Sequence, residues 1–114
     1  MIIETGNGKQ QEATATRISE ILGSGKLRGD LVILRRDDQV YLQALIAEEP
    51  CHVEYREGSD SRHFYARRKL WIPELEALML RYLGDGPDWK DGHDWAPLSE
   101  MESKPDISWN ITGI

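Results

Sequence analysis

The stretch His52-Val53-Glu54-Tyr55-Arg56-Glu57-Gly58-Ser59-Asp60-Ser61-Arg62-His63-Phe64-Tyr65-Ala66-Arg67-Arg68 decides the fold. Two strand-like runs flank Gly58-Ser59-Asp60-Ser61, a loop whose length and composition suit a β-hairpin. Placing Glu57 opposite Arg62 sets Val53 and Tyr55 against Ala66 and Phe64 on one side. His52, Glu54, Arg56, His63, Tyr65 and Arg67 then share the other side. An apolar face backed by a polar one is the pattern of an antiparallel pair that meets a core on one side and water on the other.

Working towards the N-terminus, Leu31 to Arg36 and Val40 to Ala47 are aliphatic and β-branched runs divided by Asp37-Asp38, which favours a turn. A first hairpin over 31–47 follows. With Arg35 opposite Val40, the residues Leu31, Ile33, Leu42 and Ala44 share one face, and Val32, Leu34, Tyr41 and Leu45 the other. Both faces are apolar, so this hairpin is expected mid-sheet or covered on both sides. Left bare, Val32, Leu34, Tyr41 and Leu45 would form a patch that a soluble monomer seldom tolerates, and a homodimer is one way to bury it. Further upstream, Gln10 to Leu22 lacks Gly and Pro and spaces Ala15, Ile18 and Leu22 three and four apart, which predicts a helix stopped by Gly23-Ser24-Gly25.

Towards the C-terminus, Leu75, Leu78, Met79, Tyr82 and Leu83 form one helical stripe within Pro73 to Leu83. Pro73 suits the first helical position, Glu74 and Glu76 the positive end of the dipole, and Gly84 the C-terminal cap. Trp71, just before this helix, is expected in the core. The segment after it is rich in Gly, Pro and Asp and reads as irregular, pinned by Trp89 and Trp95. The fold class is therefore α+β. It has an antiparallel sheet of about four strands in two hairpins, 31–47 and 52–68. An N-terminal helix and the amphipathic helix 73–83 accompany it, the latter packed on Tyr55, Phe64, Ile33 and Leu42. Residues 1–102 make one domain. Residues 103–114, with Ile107, Trp109 and Ile111 in alternation, read either as a mobile tail or as a covering strand.

Composition bounds the function. Over 114 residues, 39% apolar and 30% charged side chains give an ordinary globular balance, and a net charge of -6 disfavours a phosphate backbone as partner. Nucleic acid is not expected. A single cysteine, Cys51, permits no internal disulfide and points to a reducing, cytoplasmic setting. Met1-Ile2-Ile3-Glu4 has no signal-peptide character, and no run nears the roughly 18 apolar residues of a membrane span.

Short motifs fail on inspection. Gly6-Asn7-Gly8-Lys9 lacks the earlier glycine and the following Ser or Thr of a phosphate-binding loop, having Ile3 and Gln10 there. Asp85, Asp88, Asp91 and Asp94 lack EF-hand spacing and its closing glutamate. Cys51 and His52 are adjacent on a strand and so point to opposite faces, which separates nucleophile from base. His52, His63 and Glu54 share a face, but zinc wants a third firmly placed ligand. No catalytic residue, metal or cofactor is predicted.

Tyr41-Leu42-Gln43, Val53-Glu54-Tyr55-Arg56-Glu57-Gly58-Ser59 with Arg62-His63-Phe64, Gly84-Asp85, and Asp88-Trp89 ahead of Trp95 resemble a group of small uncharacterised bacterial proteins. That resemblance brings no activity with it. Proteins of this size and style are often antidotes to secreted toxins. The expected function is a non-enzymatic protein-binding module, immunity-like, whose candidate surface is His52, Glu54, Arg56, His63, Tyr65 and Arg67 with Trp89 and Trp95. The alternative is a small-molecule binder or enzyme with a pocket between the sheet and the Trp89 to Trp95 loop.

Overall fold

A computed structural model of the chain describes residues 1–23, 30–46, 49–84 and 86–102. The expectations for residues 103–114, and the part of the acidic loop at Asp85, lie outside these. The strands are β1 (Ile2–Thr5), β2 (Gln10–Glu12), β3 (Asp30–Asp37), β4 (Val40–Ile46), β5 (His52–Glu57), β6 (His63–Ala66) and β7 (Trp95–Pro97). Helix α1 (Ala15–Gly23) follows β2, α2 (Ile72–Leu83) follows β6, and the short α3 (Leu98–Glu102) follows β7. All strands join one seven-stranded antiparallel sheet in the order β2-β1-β3-β4-β5-β6-β7. The α+β class and both hairpins stand, but the sheet is larger than the four strands expected.

The three additional strands have only three or four residues each, too few for alternation to register in sequence. Gly8, at φ +83, turns the chain from β1 into β2, and its N–H donates to the Thr5 carbonyl at 2.9 Å. Gln10–Glu12 therefore pairs with β1 instead of opening the helix. Helix α1 starts after Thr14, whose Oγ1 accepts the N–H of Arg17 at 3.0 Å and satisfies a donor that the first turn leaves open.

The register of β5 on β6 is the expected one, with Tyr55 opposite Phe64 and Arg56 opposite His63. That of β3 on β4 is not. Leu34 pairs with Leu42 and Arg35 with Tyr41, and the ladder shifts between Arg35 and Asp37, where one extra residue bulges before the turn. A one-residue slip moves every side chain to the opposite face relative to its partner strand. Val32 and Leu34 thus join Leu42 and Ala44 on the helix-bearing face, while Ile33 shares the other with Tyr41 and Gln43. The patch expected of Val32, Leu34, Tyr41 and Leu45 does not form, and the case for a homodimer built on it goes with it. The hairpin does sit mid-sheet, third and fourth of the seven strands.

The core lies between the sheet and helices α1 and α2. Ile18 and Leu22 of α1 and Leu75, Leu78, Met79 and Tyr82 of α2 pack with Ile3, Val32, Leu34, Leu42, Val53 and Tyr55. Helix 73–83 lies where expected, except that Leu34 replaces Ile33 beneath it. Glu74 accepts the backbone N–H of Trp71 at 3.0 Å and so closes the first turn. Trp71 itself precedes the buried stripe and is 52% exposed, contrary to the core placement expected of it.

Candidate functional site

The two groups of residues singled out in the sequence lie on opposite faces of the sheet. Trp89 and Trp95 belong to the helix-bearing side. Trp89 is buried, edge-on to Tyr55 at 5.0 Å and to Tyr82 at 4.9 Å between ring centres. Trp95 meets Tyr55 edge-on at 4.8 Å and donates its indole N–H to the Lys90 carbonyl at 3.0 Å. Phe64 stacks on Tyr55 at 5.0 Å from the next strand. These rings pack together between the sheet and the Trp89 to Trp95 segment.

On the other face, strand pairing assembles a polar cluster. Gln43 of β4, Glu54 of β5 and Tyr65 of β6 stand in one cross-strand row, and Tyr41, Arg56 and His63 in the next. His52 lies two residues before Glu54 on β5, hence on the same side. Glu54 is the centre. Its Oε2 lies 2.8 Å from His52 Nε2, its Oε1 lies 2.5 Å from His63 Nε2, and the Gln43 amide approaches Oε1 at 3.4 Å. Arg56 donates its Nε–H to His63 Nδ1 at 3.0 Å and reaches Gln39 and Asp60 through Nη1. With Nδ1 an acceptor, the proton of the His63 ring belongs on Nε2, aimed at Glu54.

Solvent does not reach this centre. Glu54, Gln43, His52 and His63 are all buried, as are Tyr41 and Tyr65, whereas a solvated polar face was expected. Of the six predicted residues on this face, Arg67 is the exposed one, with Arg56 partly so. Burial alone would push the Glu54 carboxyl up, but the hydrogen bonds from the two imidazoles bring it below the ordinary value. Buried Tyr41 is shifted up, chiefly by desolvation, with its ring near the Arg35 and Arg56 guanidiniums at 5.2 and 5.7 Å.

A second cluster closes the β6 edge. Arg67 clamps Glu100 of α3 through two nitrogens at 2.8 and 3.0 Å and bonds Asp94 at 2.9 Å. Tyr65 donates its hydroxyl to Glu100 at 2.6 Å and stacks on His52, which connects the exposed clamp to the buried cluster. The hydrogen bond to Glu100 is the main cause that holds the Tyr65 phenol above its usual range.

Gln43, Gln39 and Glu100 are not among the site residues expected from the sequence, and Tyr41 and Asp94 are expected there only in an apolar patch and an acidic loop. Pairing β4 with β5 was the available signal for Tyr41 and Gln43, since it brings Tyr41 against Arg56 and Gln43 against Glu54. Cys51, by contrast, lies where expected: it faces the core, away from His52, and burial raises its thiol pKa.

Among the described residues no group of three His, Cys, Asp or Glu side chains is placed to hold a metal ion. Within the His52, Glu54, His63 triplet, separations of 2.5 and 2.8 Å are direct hydrogen bonds and leave no room for an ion between the partners. No described helix is long and apolar enough to cross a membrane. What fold and site define together is an α+β protein with a buried carboxylate held between two imidazoles. Comparison with protein-family models, with curated proteins and with solved structures finds no match to this chain.

Proposed function

We propose that the chain is a non-enzymatic module that binds a protein partner, in the manner of an immunity protein, at the exposed rim formed by Arg67, Asp94 and Glu100. The observation that carries this reading is the closure of the polar cluster. A general base needs a lone pair within reach of a substrate proton, and a nucleophile needs a base beside it. Here Glu54 has both oxygens engaged and His63 both ring nitrogens, while Cys51 lies across the sheet. Such a cluster fixes shape and charge.

Charge supports the same reading. Arg35, Arg56, Arg67, Arg68 and Lys90 each face a carboxylate of their own chain. The acidic excess behind the net charge of -6 is thus left to act outward, and it suits a partner with a basic face. Arg67, bidentate on Glu100, is a preorganised anchor of the kind enriched at binding hot spots.

The test is affinity capture of the tagged full chain from its host, followed by mass spectrometry, with wild type and Arg67→Glu in parallel. The expected result is one specific protein, released by salt and lost in the variant. A retained metabolite with no protein partner would favour a small-molecule site and sink the proposal.

A further inference from the structure

Arg56 joins the polar cluster to the end of the sheet. Its Nε–H donates to His63 Nδ1 at 3.0 Å, while Nη1 reaches Gln39 Oε1 at 2.6 Å and Asp60 Oδ1 at 2.9 Å. Gln39 lies in the β3–β4 turn and Asp60 in the connection between β5 and β6. These two turns lie side by side, since the Gly58 N–H donates to the Gln39 carbonyl at 2.7 Å. A guanidinium is a planar fork that does not give up its protons, so the partner at Nε has to be an acceptor. A neutral His63 ring meets that demand at Nδ1 only by keeping its one proton on Nε2, towards Glu54 Oε1 at 2.5 Å.

We infer that His63 is a proton switch that sets the position of Arg56 and, through it, the link between these two turns. An imidazolium carries a proton on both nitrogens. It keeps the bond to Glu54, now as an ion pair, but turns an N–H and a positive charge towards the Arg56 N–H. At 3.0 Å that contact changes from attraction to repulsion, and Arg56 has to leave. Asp60 sets the way out, because its side chain is 93% exposed: the guanidinium follows this carboxylate towards water and gives up Gln39. The other groups around the ring do not offer Nδ1 a new acceptor. Glu54 of β5 sits at Nε2, with its pKa below the ordinary value, and His52 holds the other oxygen of the same carboxylate. Tyr41 of β4 presents its ring to His63 edge-on at 6.0 Å, with the Arg35 guanidinium of β3 on that ring. Arg62, next in the chain before His63, is itself a cation. Beyond β6, Asp94 and Glu100 are taken up by Arg67 and Tyr65. Nothing in this device depends on the partner-binding reading.

Nitrogen–proton spectra of the full chain, recorded from about pH 8 to about pH 5, test this, since imidazoles rather than carboxyls ordinarily change charge there. The His63 ring nitrogens, the Arg56 Nε–H and the Gln39 side-chain amide are expected to shift together with one midpoint. On the acid side the Arg56 Nε–H should exchange with water about tenfold faster relative to the Arg67 Nε–H, which stays on Glu100, as for loss of one hydrogen bond to a charged group. His63→Gln keeps a donor and an acceptor but cannot take up the proton, so its Arg56 and Gln39 signals should stay constant over the same range. Should that variant not fold, Arg56→Met serves: His63 still titrates, while Gln39 shows the released signal at every pH. An Arg56 Nε–H that stays protected once the His63 ring is doubly protonated would overturn the inference. So would a ring still singly protonated at the acid end, or Gln39 shifts that persist unchanged in His63→Gln or follow His63 in Arg56→Met.

Discussion

Glu54 and His63 stand on neighbouring strands one register step apart, and only 2.5 Å separates Oε1 of the first from Nε2 of the second. The other side of the same imidazole accepts Arg56, so three residues from two strands act as one unit. Replacing Glu54 by Ala leaves two buried imidazole donors without their acceptor. The expected loss is about 3–5 kcal/mol, against about 1–3 for Glu54→Gln, which keeps an acceptor oxygen. Urea unfolding checks both, and losses under about 1 kcal/mol would show that the cluster does not hold the sheet.

Stability should also depend on pH through this carboxyl. Its folded-state pKa lies below the ordinary 4.5 because the two imidazoles outweigh desolvation. The folded protein therefore binds that proton more weakly than the unfolded chain. The contribution is fully present above the ordinary value and is lost as pH falls through the lowered one. Glu74, held at about 2 chiefly by its hydrogen bond to Arg68, acts with the same sign, but as a solvent-exposed pair it counts for little. Urea midpoints should fall as pH drops below about 4.5, and Glu54→Gln should flatten that limb. An unchanged limb in the variant would contradict the assignment.

Trp89 and Trp71 provide a paired comparison. The first is buried among Tyr55 and Tyr82, the second is half exposed at the start of α2. Trp89→Ala should cost about 3–5 kcal/mol. Trp71→Ala should stay within about 0.5 kcal/mol, as for a surface position. Equal effects in thermal unfolding would mean that the aromatic loop is not part of the core.

How much of this was legible in the sequence varies with the physics of each element. The β5–β6 hairpin was readable because Gly58-Ser59-Asp60-Ser61 fixes the register and each face has a uniform character. The β3–β4 hairpin was misread because the bulge after Arg35 leaves no signature in a run that is apolar on both faces. Helix α2 had a full stripe and a cap. The polar cluster was correctly grouped at His52, Glu54, Arg56, His63, Tyr65 and Arg67, but its burial was not foreseeable. Alternating polar residues read as solvated unless β4 and its Gln43 are known to lie alongside. Trp89 and Trp95 follow a Gly- and Asp-rich loop, and nothing local says which face of the sheet that loop crosses.

The start of α1 gives a smaller test of the same kind. If Thr14 sets the boundary between β2 and the helix, Thr14→Ala removes its bond to the Arg17 N–H and should cost about 1 kcal/mol. Hydrogen exchange should speed up at the Arg17 amide in particular. No change at Arg17 would place the helix start elsewhere.

The closed state of the polar cluster is most directly tested by long-range nitrogen–proton correlation spectra of the imidazole rings at mildly alkaline pH. His63 is expected as the Nε2–H tautomer, with its Nδ1 shifted as an acceptor and the Nε2 proton far downfield from its bond to Glu54. A His63 ring in the Nδ1–H form, or in fast exchange between tautomers, would contradict it. That result would leave a nitrogen free for substrate and reopen the catalytic reading.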